Sequence, residues 1–212
     1  MHPTFHEGNF QQLCDVLARK DKDLRSIIRQ HGYPPMWTRP NTFQTLILTI
    51  LEQQVSLAAA YAAFRKLKEK VGFVTPHKIL RLSDEEMRAC YFTRQKMGYA
   101  RHLAEAVISK QISLRKLSFL SNEEVRQEMI RLKGIGNWTI DVYLMHALQR
   151  TDLFPLGDIA LVNSLKETKQ LHPHISKEEM LSIAEPWRPY RTIASMILWH
   201  SYIKKRNIRL QG

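Results

Sequence analysis

The sequence predicts an all-α protein. Apolar residues recur at three- and four-residue spacing along nearly the whole chain, helix caps and stops punctuate those runs, and the period-two alternation of strands is scarce. Neither internal repeats nor low-complexity tracts interrupt the pattern. With 212 residues, 44% of them hydrophobic and 25% charged, the chain can bury a core and is too apolar to stay disordered.

Each element has its own signal. Phe10, Leu13, Cys14 and Leu17 share one face of a first helix, and Leu24, Ile27 and Ile28 carry a second to a stop at Gly32. The stretch YPPMWTRP, residues 33–40, reads as a linker because its prolines cannot continue a helix. Asn41 is placed to cap an apolar helix containing Phe43, Leu46, Ile47, Ile50 and Leu51, and Ser56 to cap the next, which leaves 52–55 at an interhelical turn. Thr75-Pro76 opens a short helix, and Ser83 with Glu86 and Ser121 with Glu124 have capping-box spacing. Met97, Ala100, Ala104, Val107 and Ile108 form an apolar face, beside which Arg94, Lys96 and Arg101 read as solvated charge. One helix is expected to end at Gly134, another to run from near Asn137 to Arg150, and a third from Ile159 to Lys169. Ser176 caps KEEMLSIAE, Pro186 and Pro189 interrupt, and Ile193, Ile197 and Trp199 belong to a last helix.

The formal net charge of +12 favours a polyanionic partner, either nucleic acid or an acidic membrane surface. No apolar stretch approaches bilayer length and the N-terminal residues MHPTFHEGNFQQ lack a signal-peptide core, so an intracellular, cytoplasmic protein without a membrane partner is expected. Cys14 and Cys90 have no metal-ligand spacing and fall among apolar helix positions, as buried thiols do. Two thiols cannot ligate a four-cysteine iron–sulfur cluster, and no cofactor is expected. His172 and His174 form an H-x-H without a further ligand and read as a solvated loop, while His146 and His200 read as structural.

The chemistry concentrates in two segments. In Leu132-Lys133-Gly134-Ile135-Gly136-Asn137-Trp138, two glycines flank one aliphatic residue between helices. Ile135 can enter the core while the backbone N–H groups of Gly134 through Asn137 face a DNA phosphate at a helix N-terminus. A plain helix–helix turn has the same local pattern. The second segment ends at Asp158, which first reads as an N-cap. A helix from Trp138 to Arg150 spans about 20 Å, and the seven-residue return can reach about 24 Å, so Asp158 can come back to the hairpin end.

Together, TFQ (42–44) with LEQQVS (51–56), LKGIGNWTIDVYLMHAL (132–148), FPLGDIAL (154–161) and AEPWRPYRTIASMILW (184–199) resemble the helix-hairpin-helix DNA glycosylases with a Gly/Pro-rich loop and a catalytic Asp, the HhH-GPD superfamily. The similarity is greatest to the DNA-3-methyladenine glycosylase II type and runs from about Leu13 onward. It implies two helical lobes with a cleft between them: 41–156, carrying the wedge turn and the hairpin, and 1–40 with 157–212, carrying the catalytic Asp. The N-terminal β domain of longer relatives is expected to be lacking.

The resemblance makes Asp158 the catalytic carboxylate. Trp138 stands where lyase-active relatives carry a Schiff-base lysine, which Lys133 does not match, so monofunctional chemistry is implied. Trp138, Trp199, Gln53, Val142 and Tyr143 fall at base-pocket positions, with Val142 in place of a family tyrosine and Tyr143 one residue on. Gln53 and Gln54 match the turn that wedges into the duplex, although the family carries an apolar residue where Gln54 stands. Carbonyls of Leu132 and Gly134 are candidates for holding a monovalent cation, and Arg188 or Arg191 for touching phosphate.

The expected partner is double-stranded DNA with a damaged base, bound by a monomer. The expected reaction is release of 3-methyladenine, 7-methylguanine and similar alkylated purines in base excision repair, through base flipping. Two alternatives stay open: a glycosylase of the same fold acting on mismatched thymine, uracil or oxidised guanine, and a non-catalytic DNA-binding module.

Overall fold

The computed structural model describes residues 3–208. Their regular elements are α1 (Phe10–Lys20), α2 (Lys22–His31), α3 (Phe43–Glu52), α4 (Leu57–Val71), α5 (Pro76–Arg81), α6 (Asp84–Ala89), α7 (Arg94–Ile108), α8 (Leu114–Leu117), α9 (Asn122–Met129), α10 (Asn137–His146), α11 (Ile159–Lys169), α12 (Lys177–Ala184), a 3₁₀ turn at Glu185–Trp187, and α13 (Arg191–Lys205). Among the described residues the β structure is one isolated bridge, Thr4 to Arg150. The fold is all-α, as the periodicity predicts.

Short polar side chains start most helices by accepting a backbone N–H of the first turn. Ser56, Thr75 and Asp158 cap as expected, and Ser83, Ser121 and Ser176 each close a full capping box. Gly32 ends α2 with φ 78°. Asn41 does not cap α3: extended Thr42 does, with its hydroxyl accepting from Thr45 N. Asn41 is used elsewhere, accepting from the Tyr143 hydroxyl and donating to the Leu114 carbonyl.

Three other expectations require correction. Helix α9 stops at Met129 rather than at Gly134, because Leu132 N donates to Met129 O and Ile135 N to Leu132 O, which winds the chain in successive turns. Helix α10 stops at His146 rather than at Arg150, since Gln149 adopts φ 54° and its carbonyl accepts from Phe5 N. On α7 the buried face is Met97, Ala100, Leu103, Ala104 and Ala106 together with Lys96, whereas Ile108 is exposed. Lys96 is therefore core rather than solvated charge.

Two compact units organise the chain. One is the continuous stretch Arg39–Tyr143; the other joins the residues up to Thr38 with those from Leu144 onward. The first boundary falls in the 33–40 linker, and the second lies inside α10, not at Leu156. Residues 144–156 go with the chain's N-terminal segment and with α13 because backbone bonds tie them there: Phe5 N to Gln149 O and Thr151 N to Pro3 O for the former, Thr192 N to Thr151 O for the latter.

Each unit has a helix buried on nearly all sides. In 39–143 it is α3, where Phe43 and every residue from Thr45 to Glu52 are buried and the neighbours are α4 and α7. In the other unit it is α13, buried from Thr192 to Ser201 and packed on α1, α2 and α11. Each fully buried Leu or Ile contributes about 1.5–3 kcal/mol, so these helices are the natural foundations for side chains of function. Cys14 and Cys90 are buried free thiols, and burial pushes Cys14 up to about 12. No helix among the described residues is long and apolar enough to cross a membrane.

Candidate active site

The hairpin connects α9 to α10. Gly134 has φ 86°, and a Cβ added there would lie 2.1 Å from Cγ of Tyr99, so the ring of an α7 residue occupies the place of a side chain. Leu132 and Ile135 are buried, as the pattern requires, while Gly136 and Asn137 are exposed. Gly136 has open space around its would-be Cβ, and its carbonyl accepts from Ile140 N at 3.1 Å, opening the helix. The first N–H groups of a helix lack intrahelical acceptors and sit at the positive end of its dipole, which suits them to a phosphate.

Two side chains hold this hairpin. Gln53, the residue after α3, donates through Nε2 to Gly134 O at 2.8 Å and to Thr139 Oγ1 at 3.0 Å. Arg126 of α9 donates to Asn137 Oδ1 at 3.0 Å and to Asp141 Oδ1 at 2.6 Å. Burial raises the Asp141 carboxyl, and the guanidinium beside it acts in the opposite sense. Asn137 is thus committed through its side chain to Arg126. The carbonyls of Leu132 and Gly134, nominated for a cation, accept from Ile135 N and from Gln53 Nε2 respectively.

The turn after α3 is fixed from below. The buried Lys96 ammonium donates to Leu51 O at 2.7 Å, and Arg39 grips both oxygens of buried Glu52 at 2.6 and 2.8 Å. Desolvation lowers the Lys96 pKa. Above these anchors Gln54 is exposed with φ 57°, next to exposed Val55 and Leu57. Gln54 is thus an exposed residue of this turn. Beside it, Gln53 is half-buried and its amide braces the hairpin.

Trp138 is half-buried at the start of α10. Val142 and Tyr143 are buried at 6% and 1% exposure, and the Tyr143 hydroxyl donates to Asn41 at 2.7 Å. Tyr143 is a packing residue of its unit rather than an open lining.

In the other unit, Asp158 caps α11. Its Oδ1 accepts from Leu161 N at 2.9 Å and from the indole Nε1 of Trp199 at 3.0 Å. The carboxylate thus receives a backbone N–H at a helix N-terminus and an aromatic N–H on the same oxygen. Trp199 is 9% exposed, and its ring stacks on His146, with centroids 5.6 Å apart and planes at 23°. His146, expected to be merely structural, is therefore part of the surroundings of Asp158. Nothing in the spacing of these residues signals it.

Several side roles fall away. Arg191 makes a paired contact with Asp152 at 2.7 and 3.0 Å, and Arg188 contacts Asp152 and Glu185, so both serve the entry to α13. His172 and His174 contact each other on the exposed loop, and no group of three potential metal ligands occurs among the described residues. His200 pairs with His31 O at 3.0 Å.

Residues 47–189 match the model of the HhH-GPD superfamily base excision DNA repair proteins. DNA-3-methyladenine glycosylase 1 of Schizosaccharomyces pombe is 34% identical over 190 residues, covering 86% of this chain and 83% of the relative. The alkylbase DNA glycosidase-like protein mag2 of the same organism is 30% identical over 200 residues, covering 91% and 94%. In structure, the S. pombe 3-methyladenine DNA glycosylase in complex with abasic DNA superposes with a TM-score of 0.84 at 29% identity, covering 95% of this chain and 99% of that one.

Proposed function

The chain belongs to the HhH-GPD superfamily of base excision DNA repair proteins, and from that premise we propose that it is a monofunctional DNA N-glycosylase releasing alkylated purines from duplex DNA. The observation that carries the reading is the Asp158 carboxylate, held by Leu161 N–H and by the Trp199 indole at the start of α11. Relatives at 30% and 34% identity named for alkylbase and 3-methyladenine chemistry support the substrate class.

Breaking an N-glycosidic bond leaves positive charge on the sugar, and a preorganised carboxylate is the natural stabiliser. The C1′–N electron pair departs with the base. A 3- or 7-alkylated purine is already cationic and leaves as a neutral molecule, so one carboxylate suffices without a general acid. Water then bonds to C1′ and loses a proton. Trp138, at the start of α10, matches by resemblance the place a lyase gives to a nucleophilic lysine, which supports simple hydrolysis. An aromatic face attracts a cationic purine by about 0.5–2 kcal/mol.

For DNA, the hairpin backbone holds phosphate independently of sequence, and the exposed turn at Gln54 fills the stack as the base leaves. A monomer suffices for this scheme, which needs no cofactor.

Incubation with methylated duplex DNA, followed by chromatography of the released bases, tests the reading. Release of 3-methyladenine or 7-methylguanine is expected. Release of thymine or uracil from mismatches instead would move the enzyme to another lesion, and salt-sensitive binding without release would make it a binding module. Asp158→Asn is expected to bind DNA and release almost nothing.

A further inference from the structure

We propose that His146 is a positioning residue for the Asp158 carboxylate, acting through the ring of Trp199. The proposal rests on the glycosylase reading above, and everything it invokes lies in the unit that carries Asp158.

Four residues distant in sequence form one chain of contacts. His146 Nδ1 lies 2.5 Å from the Trp37 carbonyl oxygen. A carbonyl only accepts, so Nδ1 carries the proton and the ring is tethered through it. One face of that ring stacks on Trp199. The Trp199 Nε1–H points at Asp158 Oδ1, the same oxygen that receives Leu161 N–H. The indole N–H lies in the plane of its ring, so whatever sets that plane sets where the donor meets the carboxylate. The stacked imidazole, anchored on main chain of the 33–40 segment, is such a device.

Histidine offers an aromatic face, which orients Trp199, and an N–H, which ties the ring to Trp37. An aliphatic residue at 146 would supply neither. Loss of the stack leaves Trp199 free to tilt and the carboxylate with a less directed donor, a fault felt in the chemical step because misplacement of a reacting group by an ångström can cost orders of magnitude in rate.

The test is base release from methylated duplex DNA under single turnover with enzyme in excess, together with affinity for an abasic-site duplex and thermal unfolding. His146→Ala and His146→Asn are expected to slow release about tenfold, with affinity and melting temperature close to wild type. Asn keeps a donor for Trp37 but has no ring. His146→Phe restores the ring and is expected to recover most of the rate. Trp199→Phe, which keeps a ring but loses the N–H, is expected to be slow, and adding His146→Ala to it is expected to cost little more, since both act on one carboxylate.

Wild-type release by His146→Ala, or release by His146→Phe as slow as by His146→Asn, would overturn the proposal, as would rate losses matched by equal losses of affinity and melting temperature. If His146→Ala does not fold, the Phe and Asn variants decide in the same way. Wild type and Asp158→Asn separate the two levels: no base release by wild type removes the glycosylase reading itself, full release by Asp158→Asn removes the catalytic role of Asp158, and an inactive Asp158→Asn beside an unimpaired His146→Ala removes only the role of His146.

Discussion

Gly134 and Gly136 stand two positions apart and carry different constraints. Gly134 combines φ 86° with the Tyr99 ring where a Cβ would sit, whereas Gly136 has neither a positive φ nor a neighbour within 4 Å. Gly134→Ala is therefore expected to destabilise the protein by about 2–4 kcal/mol, read by denaturant unfolding. Gly136→Ala is expected to change stability by less than about 0.5 kcal/mol yet to weaken binding of an abasic duplex several-fold, because its methyl group enters the space a phosphate approaches. Equal effects of the two substitutions on both measurements would contradict the assignment. The tight turn was legible in Gly-Ile-Gly, but which glycine serves folding and which serves approach was not, since that depends on Tyr99, a residue of another helix.

At the level of elements, local chemistry was readable and distant chemistry was not. Capping boxes at Ser83, Ser121 and Ser176 span three residues, so their partners stand in view of one another along the chain. The bond from Gln53 to Gly134 crosses 81 residues, that from Trp199 to Asp158 crosses 41, and that from Lys96 to Leu51 crosses 45. Only packing creates them, which is why neither the bracing by Gln53 nor the burial of Lys96 is legible in the sequence. Lys96→Met is expected to keep the fold of α7 while loosening the turn after α3, so that DNA affinity falls more than stability does.

The start of α2 yields a pH prediction. Asp21 caps the helix and is partly buried; burial alone would raise its pKa, but Lys169 and the Trp187 indole hold the carboxyl below its ordinary value of 3.8. Its ion pair therefore stabilises fully above the unfolded pKa and is lost as pH falls through the lower folded one. Asp21→Asn is expected to cost about 2 kcal/mol near neutrality, and the difference from wild type should vanish well below pH 3.8. A difference that persists undiminished in acid would show that capping geometry, not charge, is what Asp21 provides.

For the whole molecule, the net charge of +12 implies binding governed by release of counterions. The logarithm of DNA affinity is expected to fall linearly with that of salt concentration, by about 0.9 per phosphate neutralised, while the rate of base release under saturating enzyme stays nearly constant. Anisotropy titrations over a salt series measure the first and single-turnover assays the second. The all-α class was fully legible, because it follows from periodicity. The unit boundary inside α10 was not, because a helix that serves two units shows no break in its pattern.

Residues 39–143 form an uninterrupted stretch, whereas the unit bearing Asp158 needs both α1 and α2 and the much later α13. On the ribosome, the hairpin and its braces can assemble before Asp158 has been translated. Meanwhile α1 and α2 wait with Cys14, Leu17, Leu24 and Ile27 uncovered until α13 emerges. The nascent chain is thus stickiest over that interval, and chaperones have most to guard there.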